Sequence, residues 1–163
     1  MTRSARIDGF DRKLLAIVQH DADTPTEILA ERVGLSASAV LRRLKRLKAD
    51  GVILANVATV DPLRVGKPVF FVVALEVERE RPELLGRLRQ WLNADAHVQE
   101  VFYVTGSADF ILIVAAPDVE AYDALMSRLI ADNPNVRRFT TNVALGVGKR
   151  SLAVPIQVWN QAI

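Results

Sequence analysis

TPTEILAERVGLSASAVLRRLKRLKADGVI, residues 24–53, places two short helical patterns around a Gly-Leu-Ser turn and loads the second with positive charge. Thr24 suits a helix cap, Pro25 suits the first helical position where no backbone donor is needed, and Glu27 completes a capping box. Ile28, Leu29 and Val33 supply an apolar stripe, and Gly34 ends the helix where a left-handed backbone conformation is cheap. Ser36 caps the next helix, whose Val40, Leu44 and Leu47 recur at i, i+4 and i+7 and face inward until Gly51 stops it. An upstream helix over about 11–19 adds Leu14, Leu15, Ile17 and Val18 to a three-helix core. The pattern predicts a helix-turn-helix domain over residues 1–53.

Residues 37–50 carry five basic side chains against one acid, Asp50. A Lys/Arg run on a helix is commonly just a solvated face. Here its position adds meaning: small residues (Ala37, Ser38, Ala39) occupy the first turn, the part of a recognition helix that approaches base edges, and cations follow where phosphates would lie. No aromatic residue interleaves with them, so stacking platforms for single strands are missing and double-stranded DNA is the expected partner. The candidate contact set is Ser36, Ser38, Ala39, Arg42, Arg43, Lys45 and Arg46.

The net charge of +2 is unevenly placed. Residues 1–56 hold ten Lys/Arg and seven Asp/Glu, giving +3, whereas residues 57–163 hold eleven and twelve, giving −1. A focused basic patch fits this better than a basic tail. The chain is half hydrophobic, enough for real cores, and lacks cysteine, which excludes disulfides and thiolate metal sites. MTRSARIDGFDRK at the N-terminus has no apolar stretch, and no run approaches the roughly 18 residues needed to span a bilayer. These features predict a soluble cytoplasmic protein without a membrane partner.

After Ile53 the period changes. Residues 53–60 have strand character and lead through Asp61-Pro62 and Gly66-Lys67-Pro68, so residues 54–67 read as a connecting strand and hinge. The second domain, residues 68–163, begins with a strand at 70–77 and a helix at 82–93 bearing Leu84, Leu85, Leu88, Trp91 and Leu92. Strands at 97–104 and 109–116 follow around Gly106. Asp118 caps a helix with Val119, Tyr122, Leu125, Met126, Leu129 and Ile130 on one face, Asn133-Pro134-Asn135 ends it, and residues 136–145 return as a strand. A β-α-β-β-α-β unit packs both helices on one face of an antiparallel sheet. Yet residues 70–74 and 110–116 are apolar at nearly every position, so the opposite face also seeks cover. A second subunit in a two-fold dimer supplies that cover; the alternative is the tail, where Leu152, Val154, Ile156 and Val158 alternate.

Taken together, the chain resembles the Lrp/AsnC (leucine-responsive, feast/famine) transcription regulators. The resemblance rests on Ile7-Asp8 and Asp11, Leu29-Ala30-Glu31-Arg32-Val33-Gly34-Leu35-Ser36, Arg43, Leu44, Leu47 and Gly51-Val52-Ile53 in the first half. In the second half it rests on Val104-Thr105-Gly106 with Asp109, Asn133-Pro134-Asn135-Val136, Thr141 and Lys149. It implies an α+β protein with an N-terminal winged helix-turn-helix and a C-terminal ferredoxin-like effector and dimerisation domain. It also implies a homodimer, often assembled into tetramers or octamers, with a small-molecule effector, usually an amino acid, in clefts where dimers meet.

A free amino acid offers a carboxylate and an ammonium. Backbone N–H groups of the Gly106-Ser107 turn would serve the first and Asp109 the second, with Tyr103, Thr140, Thr141 and Asn142 finishing a pocket. Equally, Gly106 would make a hairpin turn that Asp109 merely caps. The chain departs from many members of the family by placing Ala108 before the Asp, which alters pocket size.

Catalytic readings find little support, and no cofactor or metal is expected. His20 and His97 stand far apart without a ligand pattern. Gly146-Val147-Gly148-Lys149 imitates a phosphate loop, but Val143 stands at its first glycine and Arg150 where Ser/Thr would hold magnesium. The rival function is that of tetrapyrrole (siroheme-type) decarboxylases, which resemble the same two-domain architecture and for which His97, Arg137 and Arg138 would bind an acidic macrocycle.

Overall fold

The computed structural model of the chain describes residues 6–156; the ends of the predicted domains, including Val158 of the tail, lie outside the described residues. Two compact units form, one from the chain up to Thr59 together with the segment from Lys149, the other from Val60–Gly148.

In the helical unit, α1 (Gly9–Val18), α2 (Thr26–Val33) and α3 (Ala37–Ala49) enclose Leu14, Leu29, Ala30, Val33 and Val40, with Leu44 and Ile17 packed against them. α1 begins two residues earlier than its apolar periodicity suggests, because Asp8 and Asp11 form a reciprocal capping box. The capping box expected at α2 does not form. Pro25 occupies the cap position without a side-chain bond, and the Thr24 hydroxyl turns back to Asp21. Ile28, expected inside, is 39% exposed, and Ala30 takes the buried position. Ser36 caps α3 as predicted, its Oγ accepting from the Ala39 N–H.

Gly34 ends α2 at φ +73°, and its N–H and that of Leu35 both donate to the Ala30 carbonyl. A side chain at this left-handed position carries a steric cost. Gly34→Ala is expected to destabilise the helical unit by about 1 kcal/mol, read as a lower melting temperature by circular dichroism.

Residues 53–60 form no strand, because this segment has no ladder partner among the described residues, and no wing hairpin follows α3 among them. The tail, read above with the second domain, groups with the helices. Gln19 grips it at both ends of its amide, donating to the Val154 carbonyl and accepting from the Val154 N–H, each at 3.0 Å. Leu152 and Val154 stay exposed, at 81% and 58%.

The second unit opens with a short 3-10 turn at Pro62–Arg64. It continues through β1 (Val69–Val77), α4 (Pro82–Ala94), β2 (Val98–Tyr103), β3 (Phe110–Ala116), α5 (Val119–Asp132) and β4 (Val136–Val143). The sheet order is β2-β3-β1-β4, all antiparallel, the predicted βαββαβ arrangement. Strand alternation sends Phe71, Val73, Leu75, Phe110, Leu112 and Val114 toward Leu85, Leu88 and Leu92 of α4 and Tyr122, Leu125, Met126 and Leu129 of α5. Val119 and Ile130 lie outside this core, 61% and 44% exposed. Val72, Ala74, Ile111, Ile113 and Ala115, with Phe102 on β2, form the opposite, apolar face. Among the described residues no helix is long and apolar enough to cross a membrane.

Candidate functional site

Helix α3 divides its cations between two tasks. On the side facing α1, the Arg43 guanidinium donates to Asp8 Oδ2 at 2.7 Å and to Asp11 Oδ1 at 2.9 Å, and Arg46 donates to Asp11 Oδ2. The Asp11 side chain is fully buried, so these donors compensate a charge removed from water. The Asp8 carboxyl is held below the ordinary carboxylate range, first by the Asp11 N–H and then by Arg43; Arg43 is raised in turn, chiefly by Asp8. The Arg43 guanidinium also lies over the Phe10 ring, 5.4 Å from its centroid.

The other side of α3 presents Ser38, Leu41, Arg42 and Lys45, all exposed, at i, i+3, i+4 and i+7. Among the described residues Arg42 and Lys45 carry no ion pair. Ser36 Oγ meets Ser38 Oγ at 3.2 Å, which fixes the first turn, while Ala39 is only half-exposed. Two of the four predicted DNA-contacting cations are thus ion-paired within the protein, and Leu41, outside the predicted set, is exposed on the outward side. Helical phase carried both signals: three- and four-residue steps from Ser38 reach Leu41, Arg42 and Lys45, whereas Arg43 falls beside inward Val40 and Leu47.

The predicted effector residues are dispersed in the same way. Gly106 turns the β2–β3 connection at φ +128°. Asp109 sits where the turn rejoins the sheet: its Oδ2 accepts from the Val77 N–H at 2.7 Å and its own N–H donates to the Leu75 carbonyl. One carboxylate oxygen therefore terminates β1. Ser107 lies exposed in the same turn. Tyr103 donates its hydroxyl to Glu80 at 3.0 Å, which raises its pKa above the ordinary phenol value, and Arg89 stacks over its ring at 4.8 Å.

Tyr103, Gly106, Ser107 and Asp109 share one end of the sheet, but the β4 residues do not join them as a set. Thr140 and Asn142 pair with Ala74 and Val72 on the apolar open face, whereas Thr141 points to the helices and bonds the Tyr122 hydroxyl. Asn142 also lies three residues down β1 from Leu75, about 10 Å away at ordinary strand rise. Within one chain these residues do not close a pocket.

The constellation for a macrocycle does not assemble either. His97 precedes β2 on one sheet edge and bonds Asp95 at 3.0 Å. Arg137 and Arg138 begin β4 on the other edge, and both pair with Glu76, whose carboxyl they hold below its ordinary range. Among the described residues no cluster of three or more His, Cys, Asp or Glu is arranged to hold a metal ion.

Comparison with known proteins meets this geometry from outside. Residues 7–48 match the AsnC-type helix-turn-helix domain and residues 71–154 the Lrp/AsnC ligand binding domain. An HTH-type transcriptional regulator of Sinorhizobium fredii, itself uncharacterized, is 41% identical over 152 residues, which is 93% of this chain and 90% of the relative. The crystal structure of an AsnC family regulator from Agrobacterium tumefaciens superposes with a TM-score of 0.84 at 32% identity, covering 93% of this chain and 99% of that one. A Neisseria meningitidis transcriptional regulator, solved as an L-Met complex, shares the fold at a TM-score of 0.82 and 23% identity, over 94% of this chain and 99% of that one. All three are transcriptional regulators, and the decarboxylase alternative gains no support from them.

Proposed function

The chain belongs to the Lrp/AsnC family of DNA-binding transcriptional regulators, and from that premise we propose that it acts in the cytoplasm as a homodimer or higher oligomer that reads operator duplex with α3 and answers to a small-molecule effector such as an amino acid. The single observation that carries the DNA reading is the outward face of α3, where Ser38, Arg42 and Lys45 lie exposed and the cations are not neutralised. In this reading Ser36 caps the helix, Ser38 and Ala39 approach base edges, and Arg42 and Lys45 hold phosphates. Arg43 and Arg46 orient the helix through Asp11.

The apolar open face of the sheet supports self-association. Val72 is 37% exposed and Phe102 49%, and they continue a patch through Ala74, Ile111 and Ile113 that a second copy would bury. A symmetric dimer places two recognition helices on half-sites about one helical turn, roughly 34 Å, apart. Sedimentation of the full chain should show a dimer or larger species, and in vitro selection from random duplex should enrich a two-fold symmetric site. Monomeric protein, or a pool that stays random, contradicts this reading.

The effector would bind where chains meet, at the end of the sheet carrying the Gly106 turn and Asp109, with Tyr103 and Ser107 beside it. An L-Met complex of a regulator with the same fold makes amino acids the first candidates. Thermal-shift screening of the amino acids should find a ligand that raises the melting temperature. Asp109→Asn keeps a carbonyl to accept from the Val77 N–H but loses the charge an ammonium requires, so it should fold normally and lose that shift. A shift retained in Asp109→Asn would remove Asp109 from the site.

A further inference from the structure

Leu41 is 56% exposed on a helix that otherwise sorts its side chains cleanly, and it contributes to neither hydrophobic core. A single exposed leucine is ordinary surface. Its neighbours make this one different. Ser38 lies one turn before it and Lys45 one turn after, so the leucine shares the exposed polar and cationic face that the proposed function directs at duplex DNA. A recognition helix lies in the major groove with its N-terminal residues at the base edges, and Leu41 is the fifth residue of α3, within its first turn and a half.

An isobutyl group there has no hydrogen bond to offer. The apolar feature that a standard base pair presents in the major groove is the C5 methyl of thymine. We propose that Leu41 is a specificity-determining residue that packs on a thymine methyl, selecting T at one position in each half-site. The methyl of 5-methylcytosine sits on the same ring carbon and would meet the same side chain. This inference rests on the DNA-reading role of α3, and it adds a base identity that charge alone cannot supply, since phosphate contacts carry no sequence information.

The test uses the full-length protein and the duplex it enriches from a random pool. Each thymine of that duplex is replaced in turn by deoxyuridine, which deletes the methyl and leaves every hydrogen-bonding group in place. Wild-type protein should lose about fourfold in affinity per half-site at one thymine, the scale expected for uncovering one methyl-sized group. Leu41→Ala should bind the thymine and uracil duplexes equally. Because Leu41 is outside the core, the variant should melt with the wild type and keep its salt dependence, which separates lost readout from lost structure. Enrichment of a site in which no thymine methyl matters, or a methyl effect that survives in Leu41→Ala, overturns the assignment while leaving α3 as the DNA-binding helix. A pool that never enriches removes that helix's role and this inference with it.

Discussion

Asp11→Ala is expected to be the most damaging single substitution in the helical unit, lowering its stability by about 3 kcal/mol or more. The side chain of Asp11 is wholly buried, and its two oxygens accept from the Asp8 N–H, Arg43 and Arg46. Truncation leaves those donors facing a void. It also breaks the capping box that starts α1 and the ion pairs that hold α1 to α3. A unit of this size has little stability in reserve, so the loss should move its thermal transition by many degrees or abolish it. Asp8→Ala is the informative contrast. Asp8 is about half-exposed, and its removal should cost about 1 kcal/mol, the usual worth of an N-cap. Circular dichroism melts of both variants check the ranking; equal small effects would mean that the buried pair contributes little beyond capping.

Acid should act on the same network. The Asp8 carboxyl titrates below its ordinary value in the folded state, so its contribution is present above the unfolded pKa and is lost as pH falls through the folded one. Loosening of α1 from α3 is therefore expected below about pH 4 and not near neutrality.

The Asp11 network also shows where sequence reasoning stops. Gly34, Ser36 and Asp118 mark helix ends through rules that need only neighbours in the chain, and each does so in the structure. The partners Asp11 and Arg43 are 32 residues apart, and nothing local distinguishes a cation aimed at a carboxylate from one aimed at a phosphate. Other features were legible in principle. Asp8 stands three residues before Asp11, the spacing of a capping box. Residues 140–142 are consecutive on a strand, and alternation alone forbids all three from lining one face; Thr141 bonds Tyr122 on the helix side accordingly. The segment 53–60 has strand composition but no partner among the described residues, and composition does not provide one.

The second large effect is expected in DNA binding. Arg42→Ala combined with Lys45→Ala should leave folding intact, because both side chains are exposed and neither is ion-paired among the described residues. If each neutralises one phosphate in each half of a dimer, the double variant forfeits four counterion-releasing contacts. The slope of log affinity against log salt should then be shallower by about 3 to 4, and affinity at about 0.1 M salt should fall on the order of a thousandfold. The salt slope is the decisive quantity. Lost structure weakens binding by depopulating the folded state, which a melt detects, whereas lost phosphate contacts change the slope in a protein that melts normally. Arg43→Ala should show the opposite combination: a lower melting temperature, since it removes the partner of a buried carboxylate, with a slope near that of the wild type once folding is accounted for. Should Arg43→Ala flatten the slope as strongly as the double variant, Arg43 would have to leave Asp11 on binding DNA. The ion pair between α1 and α3 would then be a contact broken in the complex, with a buried carboxylate left behind, and operator affinity would fall short of what the basic face can deliver by the free energy of that exposure.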